Sequence, residues 1–152
     1  MIDWNSIDTV LLDMDGTLLD LHFDNYFWQV HLPKQYAEKH QITEEQSSAL
    51  LHEQVSSNRG TLDWYSLDHW SERLEMDIPA LTREIQHMIS LRPHTLDFLT
   101  QLHSSHRDVV MVTNAHRKTL EIKMGQIDIT HWFDRVVVSH DLDSPKEEQA
   151  FW

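Results

Sequence analysis

Cysteine is absent from this chain of 152 residues, glycine occurs three times and proline four times. Without thiols there is no disulfide framework and no thiolate chemistry, which fits a reducing cytoplasm. The expected location is therefore cytoplasmic. No apolar run is long enough to span a bilayer. The opening residues, Met1-Ile2-Asp3-Trp4-Asn5, carry neither the basic region nor the apolar segment of a signal peptide. Basic residues are scarce: 12 Lys and Arg stand against 25 Asp and Glu, for a formal net charge of −13. Such a field argues against general binding of nucleic acid or of an anionic membrane. It leaves room for a small phosphate ester, because a metal and a few local cations reverse the potential inside a pocket. The string G-x-x-x-x-G-K-[ST] does not occur, which excludes nucleotide binding by a P-loop. Twelve histidines are scattered without an H-E-x-x-H pattern, so no zinc site is expected. No internal repeat or low-complexity segment is visible. With 40% hydrophobic and 24% charged residues, the chain should fold as one ordinary domain or a small core with an insertion.

What is present is organised around Thr9-Val10-Leu11-Leu12-Asp13-Met14-Asp15-Gly16-Thr17. A continuous apolar run suits a strand buried on both faces of a parallel sheet. Chemistry in such sheets sits beyond the carboxyl ends of the strands, where Asp13 and Asp15 would emerge with Met14 turned back to the core. Two carboxylates held close repel each other unless a cation joins them or one keeps a proton. Mg²⁺ could bind the pair, and the second acid could carry the proton.

The remaining chain alternates in pattern. Residues 7–13 read as the first strand, and residues 21–91 read as helical throughout. Pro33 should interrupt or restart a helix there. Thr43 and Gln46 have capping-box spacing at the head of a helix over 43–57, and Gly60 is its expected stop. Trp64, Leu67, Trp70, Ser71 and Leu74 recur at helical spacing, and a short helix near Pro79 runs toward Ile89. Pro93 opens a helix with Leu96, Leu99 and Leu102 on one face. Val109-Val110-Met111-Val112-Thr113 is a second buried strand, 118–126 a helix, and 133–139 a third strand centred on Val136-Val137-Val138. Ser144-Pro145-Lys146-Glu147 reads as a helix start, with Ser144 as cap, Pro145 at the first position and Glu147 closing a capping box. This would place Lys146 at a helix N-terminus, where anions are favoured. The order is that of an α/β fold with parallel strands. The core is assigned to 1–20 and 92–152, and the helical insertion, 21–91, should sit as a cap above the sheet's carboxyl edge. Aromatics at helical spacing, among them Tyr26, Phe27, Trp28, Trp64 and Trp70, read first as the interior of that cap and second as a platform for a flat base. His116, Arg117 and Lys118 read as a solvated helix start, with substrate contact as the alternative.

Asp13-Met14-Asp15-Gly16-Thr17 resembles the first motif, D-x-D-G-T, of the haloacid dehalogenase-like (HAD) hydrolases. Thr113 at the end of its strand resembles the second motif and Lys146 the third. The resemblance implies a Rossmannoid parallel sheet with an all-helical cap after the first strand. It implies Asp13 as a nucleophile forming an aspartyl phosphate, Asp15 as general acid and then base, and Mg²⁺ held at Asp13 and Asp15. It further implies that Thr113 and the Asn114 backbone bind phosphoryl oxygens and that Lys146 neutralises charge on them. An acid at position 15 marks the phosphatase and phosphomutase branches. Within the superfamily, Thr9 to Trp28, Leu62 to Glu72, Val112 to His116 and Ser144 to Gln149 resemble bacterial GMP/IMP 5'-nucleotidases. That resemblance implies Mg²⁺-dependent removal of phosphate from purine mononucleotides.

The family's fourth motif, a pair of acids ending a further strand, has no match. Asp141 and Asp143 precede Lys146 in a loop. The expectation is a core lacking its C-terminal part, with an exposed edge on the first strand open to self-association. The alternatives are a catalytically impaired fragment or non-catalytic remnant, a phosphomutase, and, ranked lowest, a phospho-acceptor signalling domain.

Overall fold

A computed structural model describes residues 3–152. Met1 and Ile2, where the opening segment read above as lacking a signal peptide begins, lie outside the described residues. Strands β1 (Thr9–Leu12), β2 (Asp108–Thr113) and β3 (Arg135–Val138) form a parallel sheet in the order β1-β2-β3. Valine-rich β2 is the central strand, and Val109 through Thr113 are all buried, as a strand covered on both faces requires. The pairing of Leu12 with Met111 and of Thr113 with Val138 brings the three carboxyl ends to one rim. β1 lies at an edge, and Leu11 is 51% exposed.

Between β1 and β2 the chain is helical: α1 (His22–Tyr26), α2 (Leu32–His40), α3 (Glu44–Ser56), α4 (Leu62–Tyr65), α5 (Leu67–Leu74) and α6 (Ile78–Glu84). The two chain crossings at its base are stitched together. Asp20 N–H donates to Ser90 O and Arg92 N–H to Leu18 O, each at 2.9 Å, and the Thr95 hydroxyl donates to Leu18 O at 3.0 Å. Gly16 takes φ +76°, and a Cβ there would come within 3.2 Å of the Leu21 side chain, so the sharp exit from β1 needs glycine. Pro33 neither interrupts nor restarts a helix: the backbone stays helical from 22 to 40. It occupies the first turn of α2, and the π-helical turn Phe27–His31 before it widens the backbone where a proline ring would otherwise clash. Thr43 and Gln46 form the expected capping box on α3. Ser66 breaks the helical stretch after Leu62 into α4 and α5 and caps α5 through His69 N–H.

Helix α7 (Thr95–His103) leads into β2, and α8 (Arg117–Gln126) follows it. On α7, Leu99 and Leu102 are buried, but Leu96 is 48% exposed. Three leucines spaced by three drift around a 3.6-residue helix, so the first falls off the buried face. The expected helix start at Ser144 does not form among the described residues. Glu148 N–H closes a turn on Pro145 O, and only a single 3₁₀ turn, Gln149–Phe151, follows. The Ser144 hydroxyl meets Glu148 rather than a backbone amide, and Glu147 turns away to Asn114 and Tyr65. Lys146 is therefore held by side chains and a strand carbonyl, not by a helix N-terminus.

Candidate active site

Asp13 leaves the end of β1 and turns its Oδ1 to its neighbour's backbone, where Met14 N–H donates at 2.8 Å. Met14 itself is fully buried, so residues 13 and 15 share one side. Lys146 Nζ lies 2.8 Å from Asp13 Oδ1 and donates to Val112 O at 3.1 Å. Its backbone N–H donates to Asn114 Oδ1 at 2.9 Å. Asn114 in turn donates through Nδ2 to Glu147 Oε2 at 2.8 Å, and the Tyr65 hydroxyl donates to Glu147 Oε1 at 2.9 Å. Thr113 is buried, and its Oγ1 accepts from Ala115 N–H at 3.0 Å, which leaves its own proton free to donate. Asp13, Asp15, Thr113, Asn114 and Lys146, the five positions singled out in the sequence, line one polar cleft of about 440 Å³ together with Tyr65, Ala115 and Glu147.

Two roles differ from expectation. The Asn114 side chain is a strut that fixes Lys146 and Glu147, whereas only its backbone had been considered. His116, Arg117 and Lys118 touch the rest of the protein: Arg117 pairs with Asp141, Lys118 with Asp68, and the His116 ring packs edge-on to His140 at 4.9 Å between centroids. Burial lowers the pKa of both histidines.

Sequence reasoning missed the groups behind Asp15. Lys123, on α8, is 1% exposed in its side chain and donates to Asp15 Oδ1 at 2.6 Å and to Asp24 Oδ1 and Oδ2 at 2.7 and 2.9 Å. Its ammonium also lies 5.4 Å from the centre of the Phe23 ring. A signal was there: Lys123 follows buried Leu120 by three positions and precedes Ile127 by four, so it sits on the apolar face of α8 and needs a counter-charge. Burial raises the Asp15 carboxyl to about 6; Lys123 opposes the shift, and Asp24 and Asp13 add to it. Burial works against the Lys123 charge, but Asp15 and Asp24 outweigh it and its pKa goes up.

Beyond Asp15 a second chamber of about 750 Å³ opens among the helices. It shares Asp15, Tyr65 and Ala115 with the polar cleft. Its walls are mainly apolar, with Phe23, Phe27, Trp28, Leu51 and Trp64 among them, and Asn25, Gln29 and His52 add polar groups. The aromatic residues thus divide: Trp70 is wholly buried and anchors the helices, donating to Trp64 O at 3.0 Å, while Trp28 and Trp64 face the chamber.

A carboxylate pair facing a lysine at the carboxyl rim of a parallel sheet, with helices inserted after the first strand, is a site of the α/β class, placed where such sheets present their chemistry. Residues 10–150 match the family model described as haloacid dehalogenase-like hydrolase. The GMP/IMP nucleotidase YrfG of Escherichia coli is 41% identical over 151 residues, covering 99% of this chain and 68% of that protein. Among solved structures, an HAD phosphatase from Thermococcus onnurineus superposes with a TM-score of 0.82 at 19% identity, covering 95% of this chain and 68% of that one. The HAD-hydrolase YfnB from Bacillus subtilis, solved bound to magnesium, superposes with a TM-score of 0.61 at 17% identity, covering 95% and 69%. The chain belongs to the haloacid dehalogenase-like hydrolases and is an enzyme homologue of the phosphatase and nucleotidase type.

Proposed function

We propose that this protein hydrolyses purine 5'-mononucleotides through an aspartyl-phosphate intermediate on Asp13. The observation that carries the reading is that the two spaces share Asp15, Tyr65 and Ala115 in their walls. A phosphate in the polar cleft, beside Asp13 and Lys146, sends its ester oxygen past Asp15 and its leaving group into the aromatic chamber. A chamber of this size and lining suits a flat nucleobase. The similarity to a GMP/IMP nucleotidase supports a purine. Residues 21–91 then act as a cap that supplies the chamber, over a core of 1–20 and 92–152.

In this mechanism a carboxylate oxygen of Asp13 attacks phosphorus. The bond from phosphorus to the ester oxygen breaks, and Asp15 gives its proton to the departing alkoxide. Asp15 then takes a proton from the water that hydrolyses the aspartyl phosphate. Lys146, the Thr113 hydroxyl and the Asn114 backbone neutralise and orient the phosphoryl oxygens. The donor set fits Mg²⁺. Oδ1 of Asp13 is engaged by protein donors, while its second oxygen and the backbone carbonyl of Asp15 take no hydrogen bond among the described residues. Mg²⁺ is commonly held by one or two carboxylates, with waters and substrate phosphate completing its shell. Asp13 would hold it through that second oxygen and Asp15 through that carbonyl, which leaves the Asp15 carboxyl to carry its proton, and the ion would screen the negative charge of the phosphate against theirs.

The test is phosphate release from GMP and IMP with and without Mg²⁺, beside Asp13→Asn. The expected result is Mg²⁺-dependent release that falls by at least about a thousandfold in the variant, as loss of a covalent nucleophile implies. Equal release by both proteins would refute the assignment.

A further inference from the structure

The cluster formed by Asp15, Lys123 and Asp24 is not used by the reaction as described. Lys123 has three ammonium hydrogens, and the three short contacts to Asp15 and Asp24 occupy them. With a side chain 1% exposed, it has no donor left for a phosphate and no route to solvent. Lys146 is the opposite case: partly exposed, it lines the polar cleft and keeps a hydrogen for an incoming anion. Lys123 therefore acts on the reaction only through Asp15.

Its placement gives that action a direction. Lys123 grips Oδ1 of Asp15, which leaves the other oxygen without a protein donor among the described residues, on a residue that lines both cleft and chamber. Asp24, on α1, takes the other two hydrogens in a bidentate contact and balances the lysine charge. α8 follows β2, whereas α1 is the first helix of the inserted segment, and α8 also packs against α6 of that segment. The lysine therefore ties the carboxylate at the sheet rim to the seat of the inserted helices.

We propose that Lys123 and Asp24 are a positioning pair that aims Asp15 at the leaving-group oxygen, so that proton donation depends on α1 being seated. The proposal rests on the phosphatase reading above. As the Asp13–phosphorus bond forms and the ester bond breaks, the proton passes from the ungripped oxygen of Asp15 to the departing oxygen. A leaving group that needs no proton escapes this requirement.

The experiment compares GMP, whose alkoxide is a poor leaving group, with p-nitrophenyl phosphate, whose phenolate departs without a proton. Lys123→Met and Asp24→Asn are measured beside the wild-type chain, with Lys123→Arg as the charge-retaining variant. The nearly isosteric Asp24→Asn carries the test if Lys123→Met does not fold. The expected result is a fall in kcat on GMP of about a hundredfold, the size of a general-acid contribution. On p-nitrophenyl phosphate the fall stays within about threefold and KM on both substrates within about twofold. Lys123→Arg recovers part of the loss on GMP. Equal losses on both substrates in a folded variant would mean a merely structural pair and overturn the proposal, as would unchanged turnover of GMP. A wild-type chain inert toward both substrates overturns the phosphatase reading, and this assignment with it.

Discussion

Two lysines flank the carboxylates of the site, and they live in different solvents. Lys146 borders the polar cleft, partly open to water, against an Asp13 side chain that is 41% exposed. Lys123 lies on the helical side, sealed between two acids and an aromatic ring. In a high dielectric an ion pair contributes little to folding but its partners stay free to exchange for a ligand. In a buried site the charges are locked, because removing one leaves the others desolvated and unpaired. One lysine is thus free to meet a ligand in the cleft, and the other is committed to protein partners. The same division separates the two spaces: the cleft is lined by polar and charged groups, and the chamber mainly by apolar and aromatic surface.

The largest expected effect tests that contrast in stability. Lys123→Met should lower the unfolding free energy by about 3–5 kcal/mol, the usual consequence of stripping the partner from a buried charge, whereas Lys146→Met should change it by less than about 1 kcal/mol. Urea unfolding of both variants measures the difference, and equal losses would erase the distinction between the two sides. Next in size, Trp64→Ala and Trp28→Ala should each lower kcat/KM for GMP by about tenfold, in line with the loss of one aromatic stacking surface. They should leave turnover of a small ester such as glycerol phosphate within about twofold, and parallel losses on both esters would separate the chamber from base binding. The smallest effect concerns the contact between the inserted helices and α8. Burial disfavours the charged form of His116 and His140, so their folded pKa values lie below the ordinary 6.5. Below that value the unfolded chain takes up protons that the folded chain resists. Stability is therefore fully present above pH about 6.5 and is lost as pH falls toward the lowered folded values. Thermal melts between pH 7.5 and 5 should show this decline, and His140→Gln, which can still donate to Leu62 O, should flatten it.

The local chemistry of the chain was legible where residue type and spacing leave few options. The apolar run before Asp13, the Val-rich strand ending in Thr113 and the Thr43–Gln46 capping box could be read directly; positions 13, 15, 113, 114 and 146 were marked by the family resemblance, and the fold gathers them in one cleft. The Ser144 helix start misled because capping residues state only that a helix can begin; the turn on Pro145, with Glu147 drawn away by Asn114 and Tyr65, prevailed. Leu96 misled because spacing by three only approximates the helical period. Asp24 gave no sign, since an acid among aromatics becomes a partner only when a distant lysine arrives.

The sequence by itself determined the parallel α/β order, the carboxylate pair at the end of the first strand and the absence of thiol chemistry, because each depends on residue type and near-neighbour spacing. Tertiary structure alone decided that Lys146 meets Asp13 across 133 positions, that Lys123 locks Asp15 to Asp24, and that two differently lined spaces share Asp15 as a wall. Those contacts pair groups remote in the chain, and burial, which sets their strength, is a property of the packed whole.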